Sequence, residues 1–319
     1  MNYLIIIILS IIQGATEFLP ISSSGHLVLF YRIFNIEDNT ILLSVILHLA
    51  TLCSVVVFYR KELWSLIKKP FSKPVLYLGI STILTLSIAI LLMPSIENSF
   101  SGKNLPLCFI ITAIILVIAE NIDILLPKRK SMVFDNISKT KETKKPFCKH
   151  NPTFFHNLPN LKQAIGMGIV QGFATFPGIS RSGSTIASGL ILGAKKEGSA
   201  NYSFLMSIPI ILGSLVLEIL KYIQSPVPLT FNILELSLGF VVAFIVGLLC
   251  IKLMLKFVSN QKLTIFSFYL LFLSLFLILN DKLLLWFWQK VPQIIFAGLF
   301  TIFKLFFVYR KLFSYIINN

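Results

Sequence analysis

Negative charge is scarce in this chain: 13 Asp and Glu stand among 319 residues, against 28 Lys and Arg. Charged residues of both signs make up only 13% of the sequence. A soluble protein carries about 25%, so the shortage argues against a soluble helical core. Cysteine is almost as rare. Cys53, Cys108 and Cys250 fall in apolar stretches and Cys148 in a basic one, with no CxxC spacing among them. That excludes a disulfide framework and a cysteine metal site. The apolar N-terminus has no Lys or Arg before Arg32, which speaks against a cleaved signal peptide.

What the chain has instead is hydrophobicity, 56% of its residues and a mean hydropathy of +0.85. The apolar residues come in runs long enough to cross roughly 30 Å of hydrocarbon as helices. Spans are predicted at 41–59, 75–93, 105–126, 202–223, 231–251 and 263–280. The net charge of +15 gathers in short connections between them. Such clustering fits cytoplasmic loops rather than a nucleic-acid surface. RKELWSLIKKPFSKP (60–74) has five Lys/Arg and one Glu, and 127–160 has eight Lys/Arg against Asp135 and Glu142. Lys252, Lys256 and Lys262 mark a third basic loop, while 94–104 is balanced and 225–230 uncharged. The basic loops are predicted inside and the other two outside.

Two stretches, 1–40 and 161–200, do not fit that alternation as spans. Each has a short apolar run, a break rich in Gly, Pro and Ser, and a second short apolar run. Both read as re-entrant hairpins. Their breaks are related: IQGATEFLPISSSGHL (12–27) lies without a gap over VQGFATFPGISRSGST (170–185), with seven of sixteen positions identical. Three spans follow each. The expected fold is all-α, a polytopic helical membrane protein of two inverted repeats, 1–127 and 161–280. A basic cytoplasmic loop (128–160) separates them and an extra apolar segment (281–319) follows. Broken helices in inverted repeats face one another near the midplane, where sites form, and irregular backbone survives there only in protein or against a wet cavity.

The breaks therefore hold the candidate site residues. Glu17 is the only carboxylate in either break, and an acid inside a bilayer is a functional candidate by default. Gln13 lies one helical turn before it. Ser22, Ser23 and Ser24 supply hydroxyls and, where a helix starts, backbone N–H groups suited to phosphate, although serines also cap helices without any ligand. His26 can serve as acid, base, nucleophile or ligand. The second break contributes Arg181, whose guanidinium grips phosphate oxygens bidentately. Ser180, Ser182, Ser184 and Thr185 add donors, and Gly178 and Gly183 allow close backbone approach. Together they describe a phosphate site with a carboxylate suited to a divalent cation. His48, inside a plain span, and His150 and His156, in the basic loop, read as bland.

At these residues the sequence resembles the undecaprenyl pyrophosphate phosphatases, the bacitracin-resistance family. The motifs are QGATEFLPISSSGH and PGISRSGST, with LHLATLCSVVVFYRKE (47–62) and NYSFLMSIPIILGS (201–214) in support. The resemblance covers about residues 1–280. It implies hydrolysis of undecaprenyl pyrophosphate to undecaprenyl phosphate and inorganic phosphate, which recycles the lipid carrier of peptidoglycan synthesis. It also implies a divalent cation, Mg2+ or Ca2+, and a multi-pass protein of the bacterial inner membrane with its site open to the outer side. Glu17 matches the second acid of the first motif, a metal ligand or base. Ser23 and His26 match residues at the phosphorus, as nucleophile or proton carrier. Arg181 matches the phosphate-binding arginine, with Ser180 and Thr185 beside it. The chain departs from the pattern in three places: Gln13 where a first acid often stands, the long basic loop, and the segment after 280. That segment would be an added span or an interfacial helix anchored by Trp286 and Trp288. A lipid-phosphate or anion transporter is the rival reading on the same architecture. A non-catalytic scaffold gives no reason to bury Glu17 and Arg181. The sequence leaves a homodimer open.

Overall fold

The computed structural model describes residues 3–36, 40–125, 154–155, 157–224, 231–260 and 263–279. Most of the basic loop, with His150, His156 and Cys148, and all of 281–319, with Trp286 and Trp288, lie outside the described residues. Among the described residues the secondary structure is helical, with no strand.

The first break separates α1 (Tyr3–Thr16) from α2 (Ser23–Ile33). Three apolar helices follow: α3 (Thr40–Phe58), α5 (Lys73–Leu91) and α7 (Leu105–Glu120), with short α4 (Arg60–Ile67), α6 (Met93–Ser99) and α8 (Ile122–Leu125) between and after them. The second half repeats the order. Its break separates α9 (Leu161–Phe173) from α10 (Arg181–Ile191), and then come α11 (Lys196–Gln224), α12 (Ile233–Ser259) and α13 (Thr264–Leu279). Four helices, α3, α5, α11 and α12, are long and apolar enough to cross a membrane, while α1, α7 and α13 are shorter apolar helices. The chain is a polytopic helical membrane protein.

Helix ends differ from the hydropathy runs for identifiable reasons. The predicted span 202–223 begins six residues early, at Lys196. Gly198, Ser199 and Ala200 are small and buried there, so backbone hydrogen bonding and close packing extend the helix where hydropathy does not. Pro209 lies within it, a site where one backbone hydrogen bond is lost. The span 231–251 becomes α12 because Asn232 and Glu235 form a capping box at its start. It then runs on through Lys252 and Lys256 to Ser259. The basic stretch 60–74, read as a loop, contains the helix α4, with Lys68 over the exposed Trp64 ring. The predicted span 105–126 ends earlier, at Glu120, whose carboxylate accepts from the backbone N–H and hydroxyl of Thr264.

The two halves exchange their first helices. α1 packs on α12 and α9 on α5, while α3 and α11 pack together and α10 lies on α7. Ile6 and Leu9 of α1, Leu27 of α2, Leu43 and Leu47 of α3 and Ala243 of α12 form one fully buried cluster. Small and hydroxyl residues let these helices approach, the usual means of association where apolar surface alone gives no drive. A Cβ on Gly14 would lie 2.7 Å from the Ala243 carbonyl oxygen of α12. Ser54 of α3 donates to Phe244 O of α12 at 2.9 Å, and Thr85 of α5 donates to Gly168 O of α9 at 2.9 Å.

Candidate active site

Both breaks are built by the same local chemistry. Leu19 N–H still bonds Ala15 O, but Pro20 has no N–H to continue the helix. The chain turns, and Ser22 adopts a left-handed φ of 71°. From there its hydroxyl caps α2, accepting from Gly25 N at 3.3 Å. In the second break Pro177 and Gly178 (φ 94°) make the turn. Ser180 caps α10, accepting from Gly183 N at 3.0 Å.

The breaks then meet. Gly178 N donates to Ser22 Oγ at 3.1 Å, and Ser182 Oγ donates to Leu19 O at 3.1 Å. A Cβ on Gly25 would sit 2.9 Å from Gly178 Cα, so only glycine admits this approach. One on Gly183 would sit 2.9 Å from Pro20 Cβ. The result is that α2 and α10 begin side by side, their positive ends near the same point.

At that point lies Glu17, 5% exposed. Its Oε1 pairs with the Arg181 guanidinium from the opposite break. Its Oε2 accepts from Ser23 Oγ at 2.6 Å and from Gln13 Nε2 at 3.1 Å. A carboxylate, a guanidinium and a hydroxyl are thus joined in one hydrogen-bonded cluster. The carboxylate is placed to accept the serine's proton, the arrangement that activates a hydroxyl nucleophile.

The other predicted residues divide. Ser22, Ser180 and Ser182 spend their hydroxyls on capping and on joining the breaks. Thr185 Oγ1 bonds Arg181 O at 2.8 Å and meets Ser203 Oγ at 2.5 Å, so it steadies the turn that carries the guanidinium. Ser24 is half-buried beside Ser22. Ser184 is buried with its hydroxyl unpartnered. His26 is bonded to groups other than Glu17. Its Nδ1 lies 2.7 Å from Ser22 O and its Nε2 2.7 Å from Tyr269 OH, with the Tyr269 ring stacked on it. A carbonyl can only accept, so Nδ1 carries the proton and neutral Nε2 accepts from the tyrosine.

Two residues that sequence reading passed over belong to this frame. Tyr269 holds His26, and Thr112 of α7 accepts from Ser180 N at 3.1 Å and donates to Gly178 O at 3.3 Å. Thr112 is the one hydroxyl residue of its apolar helix and Tyr269 one of four in its own, which is the only signal the sequence carries for them.

A comparison with known families matches residues 6–276 to the family described as Bacitracin resistance protein BacA. This chain belongs to that family. Curated relatives of the bacitracin-resistance family cover nearly the same length. The chain is 36% identical over 271 residues to an undecaprenyl-diphosphatase of Carboxydothermus hydrogenoformans, covering 84% of this chain and 94% of the relative. It is 37% identical over 279 residues to one of Methanococcus vannielii, covering 85% and 98%. To one of Thermosipho africanus it is 38% identical over 276 residues, covering 84% and 96%.

The donors around Glu17 can be tested against the divalent cation that the resemblance implies. All are oxygens: the carboxylate, the Ser23 hydroxyl and Gln13 Oε1, which is buried without a hydrogen-bond partner. Hard oxygen donors suit Mg2+ or Ca2+. Among the described residues no three His, Cys, Asp or Glu side chains gather as a metal site. A cation held there would take its remaining ligands from phosphate oxygens and water. Glu17 and Gln13 fit the role of its protein ligands.

Proposed function

We propose that this chain is an integral membrane phosphatase that hydrolyses undecaprenyl diphosphate to undecaprenyl phosphate and inorganic phosphate. The observation that carries the reading is the cluster Ser23–Glu17–Arg181, in which a hydroxyl, its base and an anion-binding guanidinium are held by two separate breaks. Family membership supports the substrate class. In this reading the halves are inverted repeats with re-entrant hairpins, in the inner membrane, and the site opens to the outer side. The polyprenyl tail lies in lipid and the diphosphate enters between the breaks. The reading is complete on one chain, and a homodimer would leave it unchanged.

The terminal phosphoryl group docks where α2 and α10 begin, with its oxygens on Arg181 and the backbone N–H groups. Ser23 Oγ forms a bond to the terminal phosphorus while its proton passes to Glu17 Oε2. The bond from that phosphorus to the bridging oxygen breaks and undecaprenyl phosphate leaves. Water then attacks the phosphoserine, Glu17 returns its proton to Ser23 Oγ, and the water's second proton leaves the site. Glu17 and Gln13 would hold the divalent cation, which when bound neutralises charge on the phosphate oxygens. Catalysis of this chemistry is mostly positioning and electrostatics, which a rigid junction of two glycine-lined breaks provides. His26, tied to Ser22 and Tyr269, keeps the first turn of α2 in register.

The test is phosphate release from a polyprenyl diphosphate by the purified protein, with Mg2+ or Ca2+ and then with chelator. Hydrolysis by wild type and none by Arg181→Ala supports the reading. Transport of a lipid phosphate without hydrolysis replaces it with the transporter.

A further inference from the structure

The stretch NYSFLMSIPIILGS (201–214) supports the family resemblance, yet the reaction scheme uses none of it. Its first four residues lie in the early turns of α11, and each of the four side chains holds a different element. Successive residues of a helix point about 100° apart, so four in a row face all round it. Asn201 Oδ1 accepts from the Tyr59 hydroxyl, at the end of α3, at 2.8 Å. The Tyr202 hydroxyl meets Ser81 Oγ of α5 at 2.8 Å. Ser203 Oγ lies 2.5 Å from Thr185 Oγ1 of α10. The Phe204 ring meets Phe18 of the first break edge-on, with centroids 5.8 Å apart. Tyr202, Ser203 and Phe204 are buried, as are Ser81, Thr185 and Phe18.

The direction of the Ser203 bond follows from counting protons. Thr185 Oγ1 has one proton, and the Arg181 and Ser182 carbonyls, at 2.8 and 3.1 Å, can only accept it. Ser203 is therefore the donor to Thr185. A chain of hydroxyls runs from α11 through Thr185 to the backbone carbonyl of Arg181, whose guanidinium pairs with Glu17. Hydrogen bonds linked in this way strengthen one another. A threonine bonded to the carbonyl one turn earlier is ordinary in a helix. A second helix that feeds the same threonine with its own buried hydroxyl is not.

Phe204 acts on the other partner of the ion pair. Phe18 directly follows Glu17 and is fully buried, and a Cβ on Gly247 of α12 would sit 3.0 Å from its ring. The ring is enclosed between α11 and α12, so a shift of the chain at Glu17 has to displace it.

We propose that Ser203 and Phe204 are positioning residues for the reaction. One turn of α11 sets the separation of Arg181 and Glu17, Ser203 through Thr185 and Phe204 through Phe18. Asn201 and Tyr202 fix that turn against α3 and α5. The spacer matters once substrate arrives. A phosphate that draws the guanidinium off Glu17 weakens the ion pair between the breaks, and the contacts with α11 then keep them in register. The inference rests on the phosphatase reading.

The experiment measures phosphate release from a polyprenyl diphosphate by full-length protein in detergent, each variant well below its own melting temperature. Wild type comes first, since absence of hydrolysis there overturns the phosphatase reading itself. Given wild-type turnover, Ser203→Ala and Phe204→Leu should each lower kcat about 10-fold with little change in KM, short of the roughly 100-fold that a 1 Å misplacement costs. Thr185→Val should lose at least as much as Ser203→Ala. Adding Ser203→Ala to Thr185→Val should cost nothing further, because Ser203 acts through Thr185. Losses that multiply in that double variant, a raised KM at unchanged kcat, or full activity in either single α11 variant overturns the spacer. Ser203→Ala removes one oxygen and no packing carbon, so with the Thr185 cycle it decides the question by itself if Phe204→Leu fails to fold.

Discussion

Arg181 and Glu17, 164 positions apart in the chain, form an ion pair across two separate breaks. Removing one partner of a buried pair leaves an uncompensated charge and costs about 3–5 kcal/mol. Arg181→Met and Glu17→Gln should therefore each abolish phosphate release and lower the melting temperature in detergent. The double variant should recover most of that stability and none of the activity. Thermal unfolding and a double-mutant cycle read the coupling. Additive losses would mean that the pair is not the contact joining the halves.

Ser23 donates to Glu17 and takes no part in capping. Ser23→Ala should keep the fold and the melting temperature while lowering kcat by about 10³-fold or more, the order lost when an activated nucleophile is removed. Rapid-quench analysis of the wild type should show a phosphoserine at position 23. Its absence, with Ser23→Ala active, would move the attack to water.

Gln13 leaves Oε1 unpartnered beside Glu17. Gln13→Glu adds a second carboxylate to the same oxygen cluster, and should lower the divalent-cation concentration needed for half-maximal rate. Chelator should stop both proteins. Titration of phosphate release with Mg2+ and with Ca2+ measures the shift, and an unchanged requirement would remove Gln13 from the cation's shell.

A methyl group on Gly25 would meet Phe109 Cε1 at 2.8 Å and Gly178 Cα at 2.9 Å. Gly25→Ala should cost about 1–3 kcal/mol from overpacking and, by prising the breaks apart, more activity than its loss of stability explains. Unfolding temperature and kcat measured on one preparation separate the two effects.

Tyr269→Phe deletes the hydroxyl that holds His26 Nε2 and retains the stacked ring. The lost hydrogen bond is worth about 0.5–1.5 kcal/mol. A modest fall in kcat with an intact fold is expected, and a loss as large as that of Ser23→Ala would place His26 in the chemistry itself.

The sequence carried the location of the site because the two breaks are copies. In an ungapped match of Gln13–Gly25 to Gln171–Gly183, Glu17 and the Ser23/Arg181 pair are among the positions where the copies differ, and the only ones where a charge enters. The same identity marks Ser22 and Ser180. Shared serines at a helix start are caps first, and both hydroxyls prove committed to glycine N–H groups. Span positions were legible from hydropathy, but their ends were not. Helices such as α11 and α12 continue through polar residues as long as hydrogen bonds and small side chains permit. His48 bonds Ser44 on its own helix, and Ser44 in turn reaches Glu218 on α11, a proximity that no pattern along the chain displays.

Because α1 rests chiefly on α12 and α9 on α5, each half's first helix finds its main partner in the other half. During synthesis the opening hairpin waits, unsealed, until Ala243 and its neighbours emerge to cover Gly14. The reactive cluster is complete only once Arg181, in the second break, has been made. A fragment released early would carry Glu17 and Ser23 without Arg181, and so could not hydrolyse the lipid it embeds beside.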